Sequence, residues 1–121
     1  MKGVMRIKPL LPSQREKKRY LVFEIISKNS IKKMSEIFRT ISESLLAFAG
    51  QKGAAQAGMI IMQDKYNKEE QKGIIKINNK MTDTLKSALI LIKEINGEPV
   101  AIKSIATSGI LKKAEKHIKG A

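Results

Sequence analysis

An α+β sandwich, with four antiparallel strands carrying two helices on one face, is the architecture that hydropathy patterning predicts for this 121-residue chain. Three observations predict it. Four short stretches rich in β-branched residues are bounded by Gly, Pro, Asn or polar clusters, as strands are. Two longer stretches repeat their apolar residues every three or four positions, as helices do. The six follow one another as β-α-β-β-α-β, the split βαβ order of ferredoxin-like folds. The length suits one domain with one core, divided here into a basic N-terminal arm over 1–18 and a folded domain over 19–121.

RYLVFEIIS, from Arg19 to Ser27, has apolar residues on both faces, Leu21, Phe23 and Ile25 on one, Tyr20, Val22 and Ile26 on the other. That pattern marks a central strand. Ile31, Met34, Phe38, Ile41, Leu45 and Phe48 then recur at helical spacing, with Ser30 as N-cap and Gly50 as the stop. A Gly/Ala-rich loop, GQKGAAQAG, leads to GMIIMQDKY, read as the second strand. NKEEQKG is a polar hairpin connection, and GIIKIN is the third strand. Met81 to Ile95 reads as the second helix, with Leu85, Ala88, Leu89, Ile92 and Ile95 inward and Asn96-Gly97 ending it. EPVAIKSIAT is the fourth strand, its start confined by Pro99 to an edge or first position. Ser108 caps an additional C-terminal helix within GILKKAEKHIKG.

Composition narrows the partners. Aromatic residues are only 4% of the chain, so aliphatic side chains build the core. With 24 Lys and Arg against 11 Asp and Glu, the net charge of +13 calls for a polyanion. The chain has no cysteine, which removes disulfide and thiol chemistry. No apolar run is long enough to span a bilayer, and MKGVMRIKPLLPSQREKKR has no apolar signal core. A soluble, cytoplasmic protein is the expectation.

Catalytic patterns are weak. His117 is the one histidine, and it lies beside the Ile110, Ala114, Ile118 stripe of the last helix. The carboxylates are scattered, with no metal-ligand or acid/base spacing. An acylphosphatase-like site would need Arg15 or Arg19 to converge with Asn29, a loose fit. Base stacking on the sheet, as in an RNA-recognition motif, needs rings on the central strands. The third strand imitates the Lys-Gly start of that signature but continues with Ile74, Ile75 and Ile77. Its sheet face is too aliphatic for that task, and it calls for a cover: the C-terminal helix, or another protein seated on Tyr20, Val22 and Ile26.

The cations form two clusters. Lys2, Arg6, Lys8, Arg15, Lys17, Lys18 and Arg19 are opposed only by Glu16, while Lys112, Lys113, Lys116 and Lys119 line the last helix. Such side chains supply phosphate contacts that position without specifying. Thr107-Ser108-Gly109, opening a helix that continues with two lysines, reads as a phosphate site. The expected RNA-binding set is therefore Arg15, Lys17, Lys18, Arg19, Ser108, Gly109, Lys112 and Lys113.

Two stretches, REKKRYLVFEI at Arg15 to Ile25 and TSGILKKAEKHI at Thr107 to Ile118, together with the element order, resemble the archaeal ribonuclease P protein component 2 family, relatives of a subunit of eukaryotic nuclear ribonuclease P and MRP. The resemblance runs over essentially the whole chain. It implies a noncatalytic protein subunit that supports the catalytic domain of ribonuclease P RNA in removing the 5′ leader of precursor tRNA. It implies Mg²⁺ on the RNA and no cofactor on the protein. It also implies a TIM-barrel-like partner subunit, in a heterotetramer with two copies of each. A basic ribosomal or other RNA-binding protein of the same fold is the alternative. An amino-acid-sensing ACT-type domain shares the fold, but the charge of +13 argues against it.

Overall fold

A computed structural model describes residues 17–119. Strand β1 (Lys18–Ser27) leads to helix α1 (Met34–Ala57), a two-residue strand β2 (Ile60–Ile61), β3 (Lys72–Asn78), helix α2 (Thr82–Leu91), a second two-residue strand β4 (Glu94–Ile95), β5 (Glu98–Ser108) and a short α3 (Leu111–Glu115). Single 3₁₀ turns at Gln63–Lys65 and Asn79–Met81 follow β2 and β3. The sheet runs β2-β3-β1-β5-β4, every neighbouring pair antiparallel. The α+β class and the central position of β1 agree with the sequence.

The sheet has five strands, however, where the pattern predicts four. The difference lies at Asn96-Gly97. Both residues have positive φ, 49° and 84°, which is the backbone of a tight hairpin turn whose twist matches the flanking strands. The dipeptide therefore joins β4 to β5, with Ile95 opposite Glu98, and does not end a helix. Helix α2 stops at Leu91, and Ile92 is already extended. Ile92 and Ile95 are still buried, so the apolar spacing runs unbroken through the change from helix to strand.

Glycine 50 is likewise not a stop. The chain leaves helical geometry there for one residue (φ 77°, ψ 173°) and resumes a helical course to Ala57, where Gly58 closes α1 in the left-handed region. Helix α1 buries Ile37, Ile41 and Leu45, spaced one turn apart, while Phe48 is half exposed. These residues meet Leu21, Phe23 and Ile25 of β1, Ile75 and Ile77 of β3, Ile102 of β5 and Leu85 and Leu89 of α2 in the main core. Each fully buried aliphatic side chain contributes about 1.5–3 kcal/mol.

The other face of the sheet is closed by α3. Val22 of β1 and Ile74 of β3 are fully buried against Ala114, with Tyr20, Met62, Ala106, Leu111 and Ile118 around them. Two polar ties hold the cover. The Lys65 ammonium pairs with the Glu115 carboxylate at 2.6 Å, and Asn67 Nδ2 donates to the Ile118 carbonyl at 2.7 Å. The C-terminal helix is thus what covers the aliphatic face, and Val22 is withdrawn from the expected partner-binding set because its own chain buries it. Tyr20 keeps part of its surface, and Ile26, beyond the reach of α3, is 46% exposed.

Candidate nucleic-acid interface

Antiparallel pairing decides which distant residues meet. Strand β1 begins where β3 and β5 end, with Lys18 opposite Asn78 and Tyr20 opposite both Lys76 and Ser108. A bulge on β5 lets the register survive to that end. Val22 faces Ala106 and Phe23 faces Ser104, so Ile105 is the extra residue. One end of the sheet thereby collects Lys17, Lys18 and Arg19, then Lys76 and Lys80 about the end of β3, then Ser108 and Gly109 where β5 runs into α3. Lys112 and Lys113 stand exposed in the first turn of α3.

The contacts here are specific. Arg19 Nε donates to Asn79 Oδ1 at 2.9 Å, while Asn79 N–H donates to the Lys17 carbonyl at 2.7 Å. Arg19 Nη1 lies 3.1 Å from the place a Cβ on Gly109 would occupy. Lys18 Nζ reaches 3.0 Å from the corresponding point on Gly58, which brings the end of α1 to the same region. Ser108 does not cap α3. Ile110 is the residue before that helix, and its N–H donates to Ser108 Oγ at 3.0 Å. With five residues, α3 offers little dipole to an anion, so the anion-attracting groups here are side chains.

Charge separates this end from the opposite one. Among the described residues, the carboxylates nearest these cations in sequence are Asp83, in the first turn of α2, and Glu115 of α3, which is paired with Lys65. At the far end, by contrast, Lys32 and Lys33 line one surface depression together with Glu36 and Glu98. Midway along β1, Glu24 stands opposite Lys72 and Lys103. Asn29 belongs to the far end, where its N–H and Nδ2 both donate to the Glu98 carboxylate at 3.1 Å. All of β1 lies between it and Arg19, so these two do not form an acylphosphatase-like pair.

Of the expected RNA-binding residues, Lys17, Lys18, Arg19, Ser108 and Gly109 come together, and Lys112 and Lys113 follow on directly. Arg15 lies outside the described residues. Asn79, Lys76 and Lys80 were not anticipated; what finds them is the antiparallel register of the first and third strands, which sets the end of GIIKINN beside KKR.

A family model described as the Rpp14/Pop5 family matches residues 19–119. This chain belongs to the Rpp14/Pop5 family. The match begins at Arg19 and takes in the whole described fold from there, including Asn79, Ser108, Gly109, Lys112 and Lys113. Among relatives of this Rpp14/Pop5 chain, ribonuclease P protein component 2 of Thermococcus kodakarensis is 33% identical over 114 residues, 93% of this chain and 92% of the relative. The protein of the same name from Methanococcus aeolicus is 34% identical over 114 residues, 93% and 81% of the two chains. A chain in a cryo-EM structure of yeast ribonuclease MRP shares the fold, with a TM-score of 0.62 at 15% identity over 81% of this chain and 78% of that one.

Proposed function

We infer that this Rpp14/Pop5 protein is a subunit of ribonuclease P, and that the basic end of its sheet holds phosphates of the ribonuclease P RNA. The observation that carries the second part is the meeting of Lys17, Lys18 and Arg19 with Asn79, Ser108 and Gly109 at a single sheet end. Cations gathered there release counterions when phosphates bind, and each contact adds roughly 0.7 to 0.9 to the salt slope of binding. In this reading the protein braces the catalytic domain of the RNA, and the hydrolytic chemistry with its Mg²⁺ belongs to the RNA. Precursor tRNA reaches the same surface only where its backbone passes alongside. A TIM-barrel-like subunit is the protein partner we propose, with Tyr20 and Ile26 on the part of the sheet that α3 leaves open.

Reconstitution tests the reading. Cleavage of the 5′ leader of precursor tRNA is measured with the ribonuclease P RNA encoded by the same genome, with and without this chain, in the presence of the partner subunit. Stimulation that needs this chain, and that falls when Lys17, Lys18 and Arg19 are replaced by alanine, supports it. RNA binding without any stimulation would instead leave a basic RNA-binding protein of the ribosomal kind.

A further inference from the structure

Within the basic end, one cation differs from the rest. Lys17, Lys18, Lys80, Lys112 and Lys113 are exposed, whereas the half-buried Arg19 guanidinium is oriented by Asn79 Oδ1 on its Nε, 2.9 Å away. Asn79 is itself anchored. Its N–H is bound by the Lys17 carbonyl, and its own carbonyl accepts from Thr82 Oγ1 at 3.0 Å and from the Thr82 N–H. The preceding Asn78 tightens the same turn, accepting from Lys80 N–H at 2.9 Å and donating to the Gln56 carbonyl at 3.2 Å. A side chain that hangs from so fixed a backbone holds its partner steady.

With Nε engaged, the Nη1–Nη2 edge of Arg19 remains, and neither nitrogen has a hydrogen-bond partner among the described residues. That edge is the planar fork that matches two oxygens of one phosphate. Beside it stands Gly109. The backbone there is not in the left-handed region, which among the described glycines holds only for Gly50, Gly58 and Gly97, so no torsion requires glycine. What glycine provides at 109 is space, because a Cβ would press on Arg19 Nη1 at 3.1 Å.

We propose that Asn79 is a positioning residue that aims the Arg19 fork, past the bare Gly109, at a single RNA phosphate, giving one oriented bidentate contact among otherwise unoriented lysine contacts. This rests on the reading that the basic end binds RNA, and it adds which group fixes the register of the backbone. An oriented fork and a loose ammonium respond differently to substitution. Arg19→Lys keeps the charge and loses the fork; Asn79→Ala keeps both and loses the aim; Gly109→Ala crowds the fork from the side.

The experiment is binding of the full-length chain to ribonuclease P RNA across a range of salt, with thermal unfolding as a parallel measure. Arg19→Lys and Asn79→Ala should each weaken binding by about tenfold, the scale of one charge-assisted hydrogen bond, with the salt slope unchanged. The double variant should bind no more weakly than Arg19→Lys alone, since the two act through one contact. Gly109→Ala should weaken binding while leaving the melting temperature in place, and it answers the question if Asn79→Ala unfolds the chain. If Asn79→Ala costs the same factor in the Arg19→Lys background as alone, Asn79 does not work through Arg19 and the proposal is wrong. If Asn79→Ala and Gly109→Ala bind as wild type while the Lys17→Ala/Lys18→Ala pair binds weakly, the proposal fails and the RNA surface stands. If that lysine pair also binds as wild type, both fall together.

Discussion

The two ends of the sheet use polar side chains in opposite ways. At the far end they are consumed within the fold. Gln71, nearly buried and at a positive φ of 52°, accepts from Ile31 N–H at 2.8 Å and donates to the Ile25 carbonyl and Ser27 Oγ at 2.9 and 3.1 Å. Nearby, Asn29 takes both oxygens of Glu98. At the basic end the polar groups are held in position but left with capacity to spare, as Arg19 shows. The contrast teaches where to look for function in a chain that is basic throughout: not where cations are most numerous, but where donors are oriented and unopposed by carboxylates.

The comparison breaks most visibly at Gln71. Gln71→Ala leaves the Ile31 N–H and Ile25 carbonyl without their partner, and should cost about 2 kcal/mol, read as a fall in melting temperature of roughly 10 °C for a domain of this size. The RNA affinity of the folded fraction should not change. A loss of affinity at constant stability would show that the two ends are not independent.

A matched pair of substitutions sharpens it. Lys17→Ala/Lys18→Ala should lower the salt slope of RNA binding by roughly 1.5, two contacts at 0.7 to 0.9 each. Lys32→Ala/Lys33→Ala, equal in charge but set beside Glu36 at the far end, should change it by much less. Equal slopes would mean that net charge alone governs binding.

The smallest effect concerns Tyr66, which packs its ring on Phe23 with centroids 6.3 Å apart and buries a hydroxyl without a hydrogen-bond partner among the described residues. Burial pushes this phenol up to about 12. Its raised value means that the neutral ring contributes fully below pH 10 and loses its contribution as pH rises toward 12. Tyr66→Phe should remove that alkaline loss. It should also raise stability at neutral pH by up to about 1 kcal/mol, since the unpartnered hydroxyl is gone. Urea unfolding at pH 7 and pH 11 measures both.

Much of this fold could be read directly. The alternation in RYLVFEIIS separated the two faces of β1 correctly, Leu21, Phe23 and Ile25 toward the helices and Tyr20 and Val22 away from them. The misreadings came from signals with two meanings. Asn96-Gly97 ends helices and turns hairpins, and only φ distinguishes the two. Buried Ile92 and Ile95 fit a helical stripe as well as an extended segment. The second strand shrank to Ile60 and Ile61 because Gln63 turns the chain into a 3₁₀ turn. At the basic end, KKR and SG were visible as separate clusters, but the Arg19 to Asn79 contact spans 60 residues. It exists through strand register, which a linear pattern does not display.

The placement of α3 has a consequence for what the RNA is free to change. Val22 and Ile74, at the middle of the outer face, are sealed under Ala114, so the site where a related fold would stack bases is closed here. On the proposal that Arg19 and its neighbouring lysines hold RNA phosphates, the nucleotides beneath them are free to vary, provided the path of the strand is kept. Exchange of the contacted RNA segment for one of different sequence and the same shape should therefore be tolerated, and co-inheritance of protein and RNA would be enforced by architecture rather than by spelling.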